Sequence, residues 1–430
     1  MSCGRRTDDQ PGADLPVAWV KMPSMAERLL DIAAARERVL AAARPLRPEP
    51  VELAAALGRV LAEEVASEGA LPPFDASAMD GFAALAGAAA ELEVVGESRA
   101  GPPADRALHP GEAMRISTGA VVPEGAEAVV PVERTESVDG PGPAERPRER
   151  VRVSERSPGD HIRRAGEDVV AGELVLSAGV RLGPAEVAVL ASLGRSTILC
   201  GPRPRVAVLV TGDELVEPGT PLAPGQIRDA NAFALAAQAE RAGARVVRRA
   251  LVPDDLDATA GALAEALEIA DAVCVSGGVS VGPHDHVKAA LARLGVGERF
   301  WGVALRPGKP TWFGVRDHTP VFGLPGNPVS AMVTFHLFAR PALERLAGAA
   351  EPVRSPAVAV LDEAVARHPL RDQAVRCSLT TGADGWHASP TGPQGSHVLT
   401  SMLRADALAV VPAGEGELAA GEPVDVELLR

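Results

Sequence analysis

Residues 71–83 read LPPFDASAMDGFA and hold two carboxylates five positions apart, Asp75 and Asp80, with Ala76, Ser77, Ala78 and Met79 between them. Pro72 and Pro73 remove backbone donors and Asp80-Gly81 is a turn dipeptide, so a loop is expected. Paired acids on a loop often carry function, and they equally describe a turn with solvated carboxylates; this segment alone does not decide. Four others concentrate chemistry. TGDEL brings Thr211, Gly212, Asp213 and Glu214 together, with Arg228, Asp229 and Asn231 soon after. SGGVSVGPHDHVK carries Ser276, Gly277, Gly278 and Gly282, whose backbone N–H groups can approach an anion, and then Asp285 and Lys288. RPGKP holds Arg306 and Lys309, and GLPGNPVSA holds Pro325, Gly326 and Asn327. Glu214, Asp229 and Asp285 are hard oxygen ligands suited to Mg²⁺, while Arg306, Lys309, Lys288 and the amides near Gly277 and Gly278 can bind phosphate or another oxyanion. Together they describe a site for a phosphorylated ligand with a metal. The triplet His284-Asp285-His286 also invites a transition-metal reading, but histidines two apart face away from each other on a helix. HExxH and Walker A patterns are absent from the sequence, which disfavours zinc proteases and P-loop nucleotide hydrolases.

The elements that must position these residues are legible in the hydrophobic pattern. From Arg205 the chain alternates: strand VAVLV, helix Asn231 to Ala244, strand RVVRRALV, helix Asp257 to Ala270, strand DAVCVS, helix Asp285 to Leu294. Strands FWGVAL and VFGL and a long helix from Asn327 to about Leu346 follow. Such alternation predicts a doubly wound parallel α/β domain over 204–350, with ligands beyond the carboxyl ends of its strands. Each chemistry-bearing loop named above, apart from FDASAMDG, follows one of these strands. Upstream, two amphipathic helices are expected between Ser24 and about Val65, the second carrying Leu53, Leu57, Val60, Leu61 and Val65. Residues 25–65 and 164–203 are expected to form a helical linker domain, 66–163 a small mostly-β domain carrying FDASAMDG, and 351–430 a C-terminal β domain. Residues 1–24 read as a disordered extension.

Composition narrows the classes further. The 430 residues are 46% hydrophobic, enough for several cores, and a net charge of −14 argues against general nucleic-acid binding. Cys3, Cys200, Cys274 and Cys377 are scattered without CxxC spacing, which disfavours zinc and disulfide frameworks and fits a reducing cytoplasm. No apolar run is long enough to span a bilayer. Lys21, Lys288 and Lys309 are the only lysines in an arginine-dominated chain, and two of them fall inside the motifs.

Seven segments in order resemble the molybdopterin molybdenumtransferases, the family that includes the E-domain of gephyrin: PPFDASAMDGFA at 72–83, RISTGAVVPEGAEAVVP at 115–131, RRAGEDV at 163–169, TGDELVEPG at 211–219, SGGVSVG at 276–282, RPGKP at 306–310 and GLPGNPVSA at 323–331. The resemblance implies an elongated homodimer in which the α/β domain of one subunit faces the loop-rich domain of the other. It implies binding of adenylylated molybdopterin and molybdate, with Mg²⁺-dependent release of AMP and insertion of molybdenum to give molybdenum cofactor. By position it implies catalytic roles for Asp75, Glu214, Asp285, Arg306 and Lys309, with Glu214 and Asp285 holding the metal. It implies substrate contacts at Ser77, Asp80, Thr118, Gly119, Asp168, Thr211, Asp229 and Ser276. Further contacts are implied at Gly277, Gly278, Lys288, Pro325, Gly326 and Asn327, and in GSHVLTSM at Ser401, with Ser396 and Thr400 as rivals. Ala76 and Arg306 depart from the family's commoner Asn and Lys, and Pro283-His284 precedes Asp285 where a charged pair is common. Partners implied are small molecules and, for delivery of the adenylylated substrate, a molybdopterin adenylyltransferase, with neither nucleic acid nor membrane. Alternative functions are the adenylyltransferase itself, which typically consists of the α/β domain alone, and a gephyrin-like scaffold, for which no extra linker is evident.

Overall fold

The computed structural model describes residues 29–139, 149–279, 286–353 and 355–429. The chain forms two compact units, one from residues up to Ala43 with Arg205–Leu343 and Val353 onward, the other from Arg44–Pro204 with Glu344–Pro352. Among the described residues no helix is long and apolar enough to cross a membrane.

In the first unit a six-stranded sheet runs in the order Arg245–Val252, Arg205–Thr211, Ala272–Ser276, Thr319–Leu324, Trp312–Arg316, Gly297–Trp301. The first four strands are parallel. Trp312–Arg316 is antiparallel to both its neighbours, so one reversed strand interrupts an otherwise parallel sheet. The doubly wound parallel α/β sheet expected over 204–350 is present, and the one antiparallel strand in it has a local cause: Asp317, at φ 55, turns the chain straight from Arg316 back into Thr319. Helices Asn231–Arg241 and Pro328–Thr334 pack on each other, as do Leu256–Ile269 and Val287–Arg293. The central strand Ala272–Ser276 is buried at all five positions, as a strand covered on both faces must be. The expected strand FWGVAL divides at Gly302 (φ +92): Leu305–Arg306 leaves the sheet and pairs with Asp372–Gln373 of the C-terminal domain.

That C-terminal domain closes on itself. Strands Asp372–Gly382, Gly385–Pro390, Ala357–Leu361, Pro423–Leu428 and Ala407–Val411 pair in turn, and the last returns to the first. Closure removes the free edges of a small sheet, and the interior is filled by small and branched residues such as Ala359, Val375, Cys377, Ala409 and Val426.

The long helix expected from Asn327 to Leu346 is α-helical over Pro328–Thr334 and Arg340–Leu346 but a π-turn over Phe335–Ala339. Pro341 has no N–H to give the Leu337 carbonyl four residues back, and the wider turn makes room for its ring. The freed Leu337 carbonyl instead accepts from Arg36 Nε at 3.0 Å. Arg36 belongs to helix Ile32–Ala42, whose Asp31 N-cap accepts from Ala34 N–H, and its guanidinium also pairs with Glu427 of the C-terminal domain. Helix Ile32–Ala42 therefore lies with the α/β domain rather than with residues 44–65.

Beside this node His336 is 5% exposed, with Nε2 3.7 Å from Glu427 Oε2 and making no hydrogen bond. Burial, then the charges of Arg340, Arg36 and Arg241, push its pKa down to about 3; Glu427 does not offset this because Arg36 already compensates its charge. The unfolded chain takes up a proton here below pH about 6.5 and the folded chain does not, so this contribution to stability is complete above that pH and is lost as pH falls. Between pH 7 and 5 the wild type is expected to lose roughly 2 kcal/mol more stability than His336→Gln, read from urea unfolding at the two pH values. Parallel curves would place the imidazole in contact with water.

In the second unit a six-stranded sheet, ordered Ala128–Pro131, Gly81–Ala84, Glu112–Ile116, Ala90–Ser98, Glu149–Val153, Thr135–Asp139, carries a core on each face, one around Phe82 and Val130 and the other around Met114 and Ile116. The helix expected over Leu53–Val65 is not formed. A short 3₁₀ turn, Leu53–Ala55, follows strand Glu49–Glu52, and Gly58 takes φ +76. Beyond it the N–H groups of Gly58, Leu61 and Ala62 bond to the carbonyls of Leu182, Val180 and Leu199, so extended neighbours satisfy the backbone that a helix would have satisfied internally. Val60, Leu61 and Val65 are buried as their apolarity requires, but from an extended chain.

Candidate active site

At the carboxyl edge of the α/β sheet the loops sort by charge. Asp254 follows the outermost strand, and its N–H bonds to Asp213 Oδ1 at 3.0 Å, joining two acidic loops. Glu214 is exposed beside them, its main-chain carbonyl accepting from Ile227 N–H at 2.8 Å. The glycine turn comes next. Gly277 and Gly278 take φ +92 and +62, and a Cβ on Gly277 would sit 2.7 Å from the Thr211 carbonyl, so glycine is required for both conformation and space. Basic residues follow the far strand: Arg306 is exposed and Lys309 partly buried, in a loop fixed by the Val303 N–H bond to the Lys309 carbonyl.

A buried network locks this edge. Asn231 Nδ2 donates to Ser276 Oγ at 2.9 Å and to the Gly326 carbonyl at 2.7 Å, and Ser276 Oγ donates to the Pro325 carbonyl at 2.9 Å. Two strand ends are thereby held to the start of helix Asn231–Arg241 by one amide. Asn231 Oδ1, Thr211 Oγ1 and Asp229 Oδ2 are buried without a partner. Burial, which outweighs the Ala232 and Asn231 amides, raises the pKa of Asp229. Asn327 Nδ2 reaches Ser396 Oγ of the C-terminal domain at 3.0 Å, and Ser396 also accepts from Val329 N–H through its carbonyl. Arg371 of the same domain stacks more positive charge near Arg306: burial and then Arg306 lower its pKa, and its guanidinium meets the His368 ring.

A second cluster lies in the other unit. Asp75 Oδ1 accepts from Ala165 N–H at 2.9 Å and Oδ2 from Arg164 at 2.6 Å. The Ala165 amide foremost, with Arg164, holds this carboxyl below the usual range. Asp80 Oδ1 accepts from Thr118 N–H at 2.7 Å. Thr118, Gly119 and Asp168 are exposed, so three loops present acids and a hydroxyl together. His161 (φ 54) braces them, its carbonyl accepting from Ala78 N–H. Gly81 is obligatory, since a Cβ there would lie 2.0 Å from the Val130 carbonyl.

Most of the expected residues thus fall into one or other cluster. Asp285 lies outside the described residues. Ser77, Ser276, Pro325 and Ser401, expected to touch substrate, are buried. Ser77 Oγ bonds to the Met79 carbonyl, while Ser401 Oγ accepts from Arg376 Nε at 3.0 Å and donates to the Val398 carbonyl. Ser396 is the serine of GSHVLTSM that reaches the sheet edge. Asp254, Arg371 and the tying role of Asn231 were not anticipated; the PDD that follows strand RVVRRALV was the available signal for the first. Cys200, Cys274 and Cys377 are buried, and desolvation pushes the thiols of Cys274 and Cys377 up to about 12, which leaves them without thiolate chemistry. Among the described residues no three His, Cys, Asp or Glu side chains cluster as a metal cage.

Residues 30–194 match the family profile for the MoeA N-terminal region (domain I and II), 207–345 that for the "Probable molybdopterin binding domain", and 358–429 that for the MoeA C-terminal region (domain IV). The molybdopterin molybdenumtransferase of Haemophilus influenzae is 36% identical over 394 residues, which cover 89% of this chain and 94% of that protein. Molybdopterin molybdenumtransferase 2 of Mycobacterium tuberculosis is 40% identical over 403 residues, covering 89% and 95%. A solved structure of a molybdopterin biosynthesis MoeA protein from Pyrococcus horikoshii OT3 superposes with a TM-score of 0.77 at 28% identity, covering 93% of this chain and all of that one.

Proposed function

The chain belongs to the molybdopterin molybdenumtransferase family, transferases of molybdenum cofactor biosynthesis, and we propose that it binds adenylylated molybdopterin and molybdate, releases AMP and leaves molybdenum on the dithiolene. The observation that carries this reading is the charge order along the sheet edge: Asp213, Glu214, Asp229 and Asp254 after the first two strands, the glycine turns in the middle, and Arg306 and Lys309 beyond the last. Such an edge can hold a metal-bound phosphate at one end and a second oxyanion at the other, bridged by one extended ligand. Lys288 and the Gly278 amide bind the phosphate groups in the middle, the Gly277 amide being spent on the Leu324 carbonyl, and Arg306 and Lys309 stabilise the oxyanion. Exposed Glu214 and the unpartnered Asp229 Oδ2 are hard oxygen donors of the type Mg²⁺ takes, and that ion needs one or two carboxylates besides water and substrate phosphate. Glu214 and Asp285 would hold it, and it would supply neutralisation of phosphate charge.

The cluster of Asp75, Asp80, Thr118 and Asp168 acts in the same reaction from the partner subunit of a homodimer, facing the α/β domain of the other chain. The adenylylated substrate comes from a molybdopterin adenylyltransferase in the cytoplasm, where buried reduced cysteines are at home. The test is AMP release by purified protein given adenylylated molybdopterin, molybdate and Mg²⁺. Consumption of ATP without molybdate would instead support the adenylyltransferase.

Lys309→Arg is expected to lower this turnover more than about tenfold, because a planar guanidinium does not replace a compact ammonium against a tetrahedral oxyanion. A smaller loss would show that only charge matters there.

A further inference from the structure

Strand Gly297–Trp301 ends at the charge-sorted edge in a side chain that touches the glycine loop and helix Val287–Arg293. Trp301 Nε1 donates to the Val279 carbonyl at 2.9 Å, and Lys288 Nζ lies 4.9 Å from the centre of the same indole. Val279 is 2% exposed, and it fits because residue 323 is glycine: a Cβ there would come within 2.7 Å of Val279 Cγ1. Val279 is therefore pinned through its side chain by the core and through its carbonyl by Trp301. The Gly277 N–H is spent on the Leu324 carbonyl at 3.1 Å, so the Gly278 amide, immediately before Val279, is the one aimed by where that pin sits. The charge of Lys288 is faced by a ring, whereas Arg293 on the same helix is paired with Asp257 at 2.6 Å. A carboxylate would neutralise the ammonium and compete with an incoming anion. An indole face holds the cation through its quadrupole and leaves the net charge intact.

We propose that Trp301 is a positioning residue that sets the glycine turn Gly277–Val279 and the Lys288 ammonium as one anion-binding unit for the phosphate groups of the substrate. This rests on the reading above that a phosphate-bearing ligand occupies the edge.

Trp301→Leu removes ring and N–H, Trp301→Phe only the N–H and part of the quadrupole, and Lys288→Met the charge. Trp301→Leu and Lys288→Met are each expected to raise KM for adenylylated molybdopterin about tenfold with kcat nearly unchanged, and Trp301→Phe about threefold. The double variant Trp301→Leu/Lys288→Met should fall short of the product of the two single effects, because Trp301 acts partly through Lys288 and partly through the glycine turn. A rise below about threefold in Trp301→Leu, or single effects that multiply in the double variant, overturns the proposal. If Trp301→Leu melts early, Trp301→Phe carries the test, and an unchanged KM in it overturns the proposal. Calorimetric titration with inorganic pyrophosphate separates this from the functional reading. Should the wild type release no AMP, that reading fails, while weaker pyrophosphate binding in Trp301→Leu still upholds the positioning role. Equal pyrophosphate affinity in wild type and Trp301→Leu overturns it whatever the turnover.

Discussion

Glu214→Gln is expected to lower Mg²⁺-dependent AMP release at least about a hundredfold, some 2.7 kcal/mol in transition-state terms, with thermal stability close to that of the wild type. The substitution keeps shape and removes one charged oxygen. Glu214 is exposed at the strand end, and the hydrogen bond its residue makes there runs through the main-chain carbonyl to Ile227, which glutamine preserves. No cavity opens and no buried partner is orphaned, so the loss falls on the cation and not on the fold. Part of the activity should return as Mg²⁺ is raised, because the lesion weakens affinity for the ion. Asp285→Asn carries the same expectation. Near-normal turnover at low Mg²⁺ in either variant would remove that carboxylate from the site.

The placement of Glu214 was legible because apolar strands announce themselves and a parallel sheet brings their carboxyl ends to one edge. VAVLV and DAVCV could be read as strands, and TGDEL and SGG could therefore be placed together. What escaped the sequence was decided by long-range partners. Residues 53–65 have helical spacing of apolar side chains, yet the amides of Leu53, Gly58, Leu61 and Ala62 find carbonyls more than a hundred residues away in the chain, and no local pattern encodes that. The π-turn was half visible, since Pro341 marks the broken ladder, but the side chain that repairs it is Arg36, about three hundred residues earlier. The serines of GSHVLTSM show the same limit. Type and spacing do not separate Ser396 from Ser401, and only burial and the Arg376 bond reveal that Ser401 is spent inside the barrel domain. Asn231 reads as an ordinary helix-start residue until its amide is seen holding Ser276 and Gly326. Residue type announced the acids and bases of this site; their mutual support did not appear in it.

Asp75 and Glu214 stand in different compact units of the chain, and this makes the origin of a complete site testable without a complex structure. Homodimers of Asp75→Ala and of Glu214→Ala are each expected to be inactive. If the Asp75 loop serves the α/β domain of the partner subunit, a mixed dimer has one cleft with both lesions and one cleft with neither. Random pairing makes about half of the dimers mixed, so co-expression should restore roughly a quarter of wild-type AMP release. The half-buried Asp75 and exposed Glu214 carboxylates sit on loops, and Asp75→Ala frees Arg164 without opening a core, so both variants should assemble as the wild type does. A site built within one subunit cannot recover in this way, because every cleft would carry a single lesion whatever the pairing. Absence of recovery in a sample where native mass spectrometry shows the mixed dimer would place FDASAMDG in the site of its own chain, or outside the reaction.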